Sequence, residues 1–251
     1  MMVILILTVF EGVEFSSVSS GMGGASYSME SAVYSLNPAL IGIENGMLFT
    51  GEYTRVYGVV DGGRILVGYR ALAVQVFYRR VEDLQGETIL TIGYGVPLGK
   101  DTRFGMNIKG FYLYQKDFGK SMAFGVDVGI FTKVWRMWKL GAVYTNINTP
   151  TVGETGAYTI PSKLGFTISY NPSSSVFSSF GMEKETGSPV RFMVGQSFAV
   201  NEHLVFRTGF RTSPFEPSFG IGIKTPVIDV NFTYTHHGEL GSTIITGADY
   251  K

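Results

Sequence analysis

The residues able to do chemistry in this chain are mainly its cations. Read with strand alternation, Arg64, Arg70, Arg79, Lys109, Lys163, Arg191, Arg207, Arg211 and Lys224 share the face opposite the large apolar side chains, against only Glu52, Asp127 and Asp229. A concave surface of that kind attracts a carboxylate or phosphate, or else its charges pair with one another and with Glu30. Lys109, Arg191, Arg207, Arg211 and Lys224 are the candidate ligands for such a head group. His236, His237 and Glu239 form the one metal-like cluster. Neighbouring strand residues point to opposite faces, so the two imidazoles do not converge on one ion, and the cluster reads as a solvated loop. With three His and no Cys, thiolate metal sites, a Cys nucleophile and disulfides are excluded. "GIGIK" at 220–224 is followed by no helical pattern and is not a dinucleotide loop. The expectation is a protein without catalytic residues, metal or cofactor, and not an enzyme.

The elements that must position these cations are strands. In "TRFGMNIKGFYLYQ", residues 102–115, Phe104, Met106, Ile108, Gly110, Tyr112 and Tyr114 share one face, and Arg103, Gly105, Asn107 and Lys109 the other. Successive strand side chains alternate in direction, so one face is apolar and one polar. The same split separates Phe124 from Asp127, Phe166 from Thr167, Phe206 from Arg207 and Phe232 from Asn231. Fourteen such segments are predicted: 46–58, 64–70, 73–81, 87–98, 102–115, 121–133, 139–148, 161–170, 174–183, 189–200, 204–212, 218–224, 227–235 and 242–250. Most approach the 9–11 residues of a tilted membrane-spanning strand. Between them, long and short connections alternate, as the two rims of an outer-membrane barrel do. The longest, 151–161, covers the mouth, contacts a partner, or is simply a surface loop.

Composition helps choose between a sandwich with an apolar interior and a barrel with an apolar exterior. The 251 residues are only 16% charged, against roughly 25% for an ordinary soluble protein, with 33 Gly, 19 Phe and 14 Tyr. Net charge is zero, which gives no case for nucleic-acid binding. The longest apolar run, 3–10, is far short of the ~20 residues of a spanning helix. Tyr57, Tyr78, Tyr94, Tyr114, Trp135, Trp138, Tyr144, Tyr170 and Tyr234 gather near segment ends, as interfacial girdles do. Fourteen strands also enclose more space than wall side chains alone can fill. The expected fold is all-β: a closed antiparallel transmembrane β-barrel of about 14 strands with a short N-terminal plug. Residues 1–20 read as a degraded signal or an ordinary apolar N-terminal segment, 21–45 as the plug and 46–251 as the barrel.

The plug is "GMGGASYSMESAVYSLNPALIG", residues 21–42. Gly21, Gly23 and Gly24 permit close backbone packing. Ser28 is placed to cap a short helix over 31–36, and Pro38 stops it, biasing Asn37 out of the helical region. This stretch resembles the N-terminal signature of the FadL-like outer-membrane proteins, the long-chain fatty-acid transporter group and its PorV-type relatives, in which "GMGGA" is followed by "NPA". Here those are Gly21–Ala25 and Asn37–Ala39. Departures are Ser28-Met29-Glu30, where paired acids are common in the family, and Leu40, where Gly commonly follows. The resemblance implies a fourteen-stranded plugged barrel in the bacterial outer membrane, surrounded by its lipid. It also implies either a channel for hydrophobic or amphipathic small molecules such as fatty acids, or a non-transporting partner of envelope or secretion proteins. The third reading, from the residues alone, is a soluble β protein with Phe124, Phe166, Phe206 and Phe232 in a dry centre.

Overall fold

A computed structural model describes residues 9–10, 15–30, 36–43, 46–153 and 158–250. Fourteen antiparallel strands close into one barrel. They are β1 (Met47–Val56), β2 (Val60–Tyr69), β3 (Leu72–Val81), β4 (Gln85–Pro97), β5 (Thr102–Gln115), β6 (Gly119–Trp135), β7 (Trp138–Thr145), β10 (Lys163–Ser173), β11 (Val176–Glu185), β12 (Arg191–Ala199), β13 (Leu204–Arg211), β14 (Glu216–Lys224), β15 (Ile228–His237) and β16 (Gly241–Tyr250). Between β7 and β10 lies a two-stranded hairpin, β8 (Thr151–Val152) with β9 (Tyr158–Thr159). β1 pairs with β16 from Phe49↔Tyr250 to Arg55↔Ile244, so the ring has no free edge at its ends. In hydrocarbon that closure is what satisfies the backbone amides.

Side-chain direction decides which solvent the wall faces. Phe124 is 71% exposed, Phe166 38%, Phe206 37% and Phe232 43%, while their neighbours Asp127, Thr167, Arg207 and Asn231 are buried. The large apolar side chains therefore look outward, and the soluble reading is excluded. Tyr53, Tyr78, Tyr114, Tyr144 and Tyr234 stand exposed toward one rim, and Tyr69, Tyr94, Trp135, Trp138 and Tyr250 toward the other. Tyr57 departs from the girdle reading: it sits in the β1–β2 turn at φ 51° and faces the barrel mouth.

The alternation of loop lengths is largely absent. Strands run further than their sequence patterns suggested and leave connections of two to five residues at both rims, with 146–162 the one long exception. Its described parts, 146–153 and 158–162, fold inward. Val152 and Ile160 bury beside Phe111, Leu113 and Ala123, Gly153 N–H donates to Ser121 Oγ at 2.7 Å, and Asn146 Nδ2 donates to the Pro161 carbonyl at 2.8 Å.

Candidate functional site: the plug and the cavity above it

The N-terminal segment lies against the inner wall. Helix α1 (Ser17–Gly21) sits on β13–β16, residues 22–24 on β12 and β13, 27–28 on β7 and β10, and the 3₁₀ turn Pro38–Leu40 on β4–β6. Residues 9–10 and 15–20, within the stretch read as a leader, lie inside the barrel with the plug. The helix expected over 31–36 falls mostly outside the described residues. Ser28 instead bonds Ser169 at 3.0 Å and Thr167 at 2.9 Å through its hydroxyl.

The wall glycines explain how a chain fits so close to the sheet. Inward-facing Gly105, Gly129, Gly141, Gly195 and Gly209 touch the plug directly. A Cβ on Gly105 would lie 2.1 Å from Pro38 C, one on Gly141 2.2 Å from the Tyr27 carbonyl oxygen, and one on Gly209 2.3 Å from Met22 C. These wall glycines are the seat of the plug. The plug glycines reciprocate. Gly23 holds φ +63°, and a Cβ there would lie 2.6 Å from the Phe210 backbone. Gly21 lies against Gly220, and Gly24, at φ +88°, against Met193. Asn37 is fully buried. Its Nδ2 donates to the Tyr27 carbonyl at 2.8 Å and the Ile130 carbonyl at 3.2 Å, and its Oδ1 accepts from Ala39 N–H at 3.1 Å. Pro38 supplies the first residue of the turn that Asn37 caps.

Carboxylates tether the plug at several heights. Glu52 accepts from Ser17 N–H (2.8 Å) and Oγ (2.7 Å) and pairs with Arg64 at 2.7 Å. Glu87 accepts from Phe10 N–H at 3.2 Å and pairs with Arg79 at 2.7 Å. Glu183 accepts from the Tyr27 hydroxyl at 2.5 Å and lies 3.7 Å from Lys163. In the opposite sense, Glu30 of the plug pairs with Lys133 at 2.6 Å and with Lys139. Burial alone would raise the Glu30 carboxyl, but hydrogen bonds from both lysines, and their charges, hold it below the ordinary value.

Above the plug, at the rim away from the termini, is a cavity of about 540 Å³. Its floor is Ser19–Ser20, Gly23–Gly24 and Tyr27. One flank is apolar: Phe10, Phe15, Phe77, Ile89 and Phe111, with Phe10 edge-to-face on Phe111 at 4.9 Å and Phe15 likewise on Phe77 at 5.3 Å. The other flank is ionic: Lys163, Glu183, Glu185, Arg191, Arg211 and Glu216. An occupant thus meets hydrocarbon on one side and a balanced set of charges on the other.

The predicted site cations separate. Lys109, Arg191 and Arg211 line this cavity. Lys109 pairs with Asp127 at 2.8 Å, Arg191 lies 3.8 Å from Glu183, and Arg211 donates to Glu216 through Nε at 2.9 Å and Nη2 at 2.5 Å. Arg207 is buried beside α1 and donates to Asn231 at 2.9 Å, away from the cavity. Lys224 has inward parity but ends β14 and is exposed at the termini rim. Arg70 is in the β2–β3 turn, over the Tyr69 ring.

The interior is not the positive surface that the nine cations suggested, because Glu87, Glu183, Glu185, Glu216 and Asp249 also face inward and are buried or nearly so. Glu87, Glu183 and Asp249 already hold the inward parity inside the predicted segments 87–98, 174–183 and 242–250, and Glu185 and Glu216 lie two residues beyond the ends of 174–183 and 218–224. His236 and His237 lie within β15 rather than in a loop, on opposite faces, with only His237 at the cavity. Among the described residues, no three His, Asp or Glu side chains are placed to hold a metal ion.

Fold and site together define a plugged transmembrane barrel with an amphipathic mouth. The chain is similar to the toluene transporter TodX of P. putida, with a TM-score of 0.73 at 10% identity over 95% of this chain and 98% of that one. It is similar to the toluene transporter TbuX of Ralstonia pickettii, with 0.69 at 12% over 97% and 100%. A Pseudomonas aeruginosa FadL homologue gives 0.64 at 11% over 94% and 98%. At these identities the likeness is one of fold, and the fold is the FadL-type barrel that the N-terminal signature implied. No protein-family model and no curated protein matches the chain.

Proposed function

We propose that this protein is a bacterial outer-membrane channel that admits hydrophobic or amphipathic small molecules, such as fatty acids, at its outer mouth. The observation carrying the proposal is the cavity of about 540 Å³, apolar along Phe10, Phe15, Phe77, Ile89 and Phe111 and ionic along Lys163, Arg191 and Arg211. Its volume suits a small ligand. The names of the fold neighbours TodX and TbuX, both called toluene transporters, support the hydrophobic half of this reading. Lys109, Arg191 and Arg211 are the proposed head-group contacts; Arg207 and Lys224 lie away from the cavity and are not among them.

The test is uptake of a fluorescent fatty acid and of an uncharged aromatic probe into vesicles containing the purified barrel. Uptake above protein-free vesicles, abolished by Phe77→Asp, supports the proposal; protein-free rates refute it. Removal of residues 21–42 should raise single-barrel conductance.

A second reading is a non-transporting envelope partner. It is favoured by the number of plug-to-wall bonds, from Glu52, Glu87, Glu183 and Asn37, which suit a sealed lumen. Capture of a stoichiometric protein from solubilised membranes, together with absent uptake, would select it.

A further inference from the structure

The lipid-facing wall carries a feature that the channel reading does not use. Arg55 of β1, Asp61 of β2 and Arg80 of β3 are cross-strand partners in one row, and all three are exposed on the outer face. Two residues nearer the membrane centre, Tyr53, Gly63 and Tyr78 form the next outward row. Tyr78 lies flat across Gly63: a Cβ there would be 2.5 Å from Tyr78 Cε1. The same face then continues as Ile65, Val74 and Val76, all exposed.

The row keeps a net positive charge, two arginines against one aspartate. Asp61 accepts a hydrogen bond from the Tyr53 hydroxyl at 2.5 Å, and among the described residues it forms no ion pair with either arginine. Arg55 spends only Nε, on the Gly58 carbonyl at 3.0 Å. Two arginines on strands two spacings apart, ~10 Å between their backbones, therefore stand at the rim above an aromatic shelf and an aliphatic slope.

Cation, aromatic, aliphatic is the polarity order of an anionic lipid read from phosphate to acyl chain. Arginine matches phosphate with paired donors, and basic groups beside the interface attract anionic headgroups. We infer that Arg55 and Arg80, over the Tyr53–Gly63–Tyr78 shelf, form a binding site for the phosphate of a membrane lipid headgroup on the outside of the barrel. The inference rests on the membrane-barrel reading but not on transport.

The experiment is native mass spectrometry of the full barrel in neutral-lipid nanodiscs titrated with phosphatidylglycerol. Arg55→Gln/Arg80→Gln should weaken retention about 30-fold, roughly five-fold per arginine. Arg55→Lys/Arg80→Lys should retain most of it, and Lys184→Gln, a lipid-facing control on β11, should leave it unchanged. Heat-modified gel mobility checks that each variant is a closed barrel; if the double glutamine variant does not close, Arg80→Gln alone, expected to lose about five-fold, takes its place. Equal retention by wild type and glutamine variants overturns the inference. So does competition by inorganic phosphate at concentrations comparable to the lipid, which would mark a free-anion site. Fatty-acid uptake is read separately, so failure of the channel reading is distinguishable from failure of this one.

Discussion

Gly129 on β6 and Asn37 in the plug fit only because the first has no side chain: a Cβ on Gly129 would sit 2.1 Å from Asn37 Oδ1. Asn37 in turn bonds the carbonyl of Ile130, the next residue on the same strand. The wall thus offers a recess and a hydrogen-bond acceptor side by side, and the Asn-Pro turn occupies both.

Gly129→Ala should therefore displace the turn rather than merely crowd it. The expected cost is about 1–3 kcal/mol from overpacking, plus loss of part of the Asn37 bonding. Asn37→Ala, which leaves the recess empty, should cost about 2–3 kcal/mol for its buried bonds at roughly 1 kcal/mol each. Thermal unfolding in detergent measures both, and raised conductance of each variant would show that the plug has moved.

The Glu52–Arg64 pair is buried, each side chain 2% exposed, and Glu52 also takes two bonds from Ser17. Glu52→Ala would strand Arg64 and should cost about 3–5 kcal/mol. Ser17→Ala removes the hydroxyl bond and leaves the pair, so it should cost about 1 kcal/mol. In a double-mutant cycle the two should couple by about 0.5–3 kcal/mol. Additive effects would mean that wall pairing and plug seating are independent.

The outer face of the wall was legible in the sequence because lipid imposes one rule on it: every second residue of Phe104–Met106–Ile108 or Val230–Phe232–Tyr234 must be apolar. The inner face obeys no such rule. Phe111 and Leu113 point inward against the plug and the 146–162 loop, so alternation along "GFYLY" disappears although the strand continues. Glu185 and Glu216 sit at strand ends, where pattern fades, and without them the lumen looked positive. The "NPA" turn was visible as a helix stop, but nothing in its own residues pointed to Gly105 and Gly129, which lie about seventy and ninety positions away. The seat is a product of register.

Glu30 gives the plug a pH dependence of defined sign. Burial works against it, but its carboxyl is held below the ordinary carboxylate value by hydrogen bonds and charge from Lys133 and Lys139. A group whose pKa is depressed on folding adds stability above its unfolded pKa and loses it as pH falls through the folded value. Plug seating should accordingly be constant above about pH 5 and weaken as pH falls below the value for a free carboxyl. Single-barrel conductance between pH 6 and pH 3 measures this, on the order of the usual carboxylate range. Glu30→Gln should already show the weakened seating at neutral pH and lose its own part of the acid response. A Glu30→Gln barrel with the wild-type pH profile would assign the response to other carboxylates.

The two flanks of the cavity make separable predictions about ligands. Phe111 and Phe10 meet edge-to-face at 4.9 Å, so Phe111→Ala should cost about 3–5 kcal/mol in stability and remove apolar surface from the ligand. It should weaken an uncharged aromatic probe and a fatty acid alike, by about ten-fold for a loss near 1.4 kcal/mol. Arg191, loosely held 3.8 Å from Glu183 and 4.0 Å from Glu185, contributes to the ionic flank only. Arg191→Gln should leave the uncharged probe unaffected and weaken the fatty acid by roughly ten-fold to a hundred-fold, the typical worth of a charge-assisted hydrogen bond being about 1.5–3 kcal/mol. That loss should shrink as salt rises, since the mouth is open to water. Displacement of an environment-sensitive fluorescent ligand reads both affinities in one assay. Equal loss of the two ligands in Arg191→Gln would mean that the charges hold the cavity open rather than select its occupant.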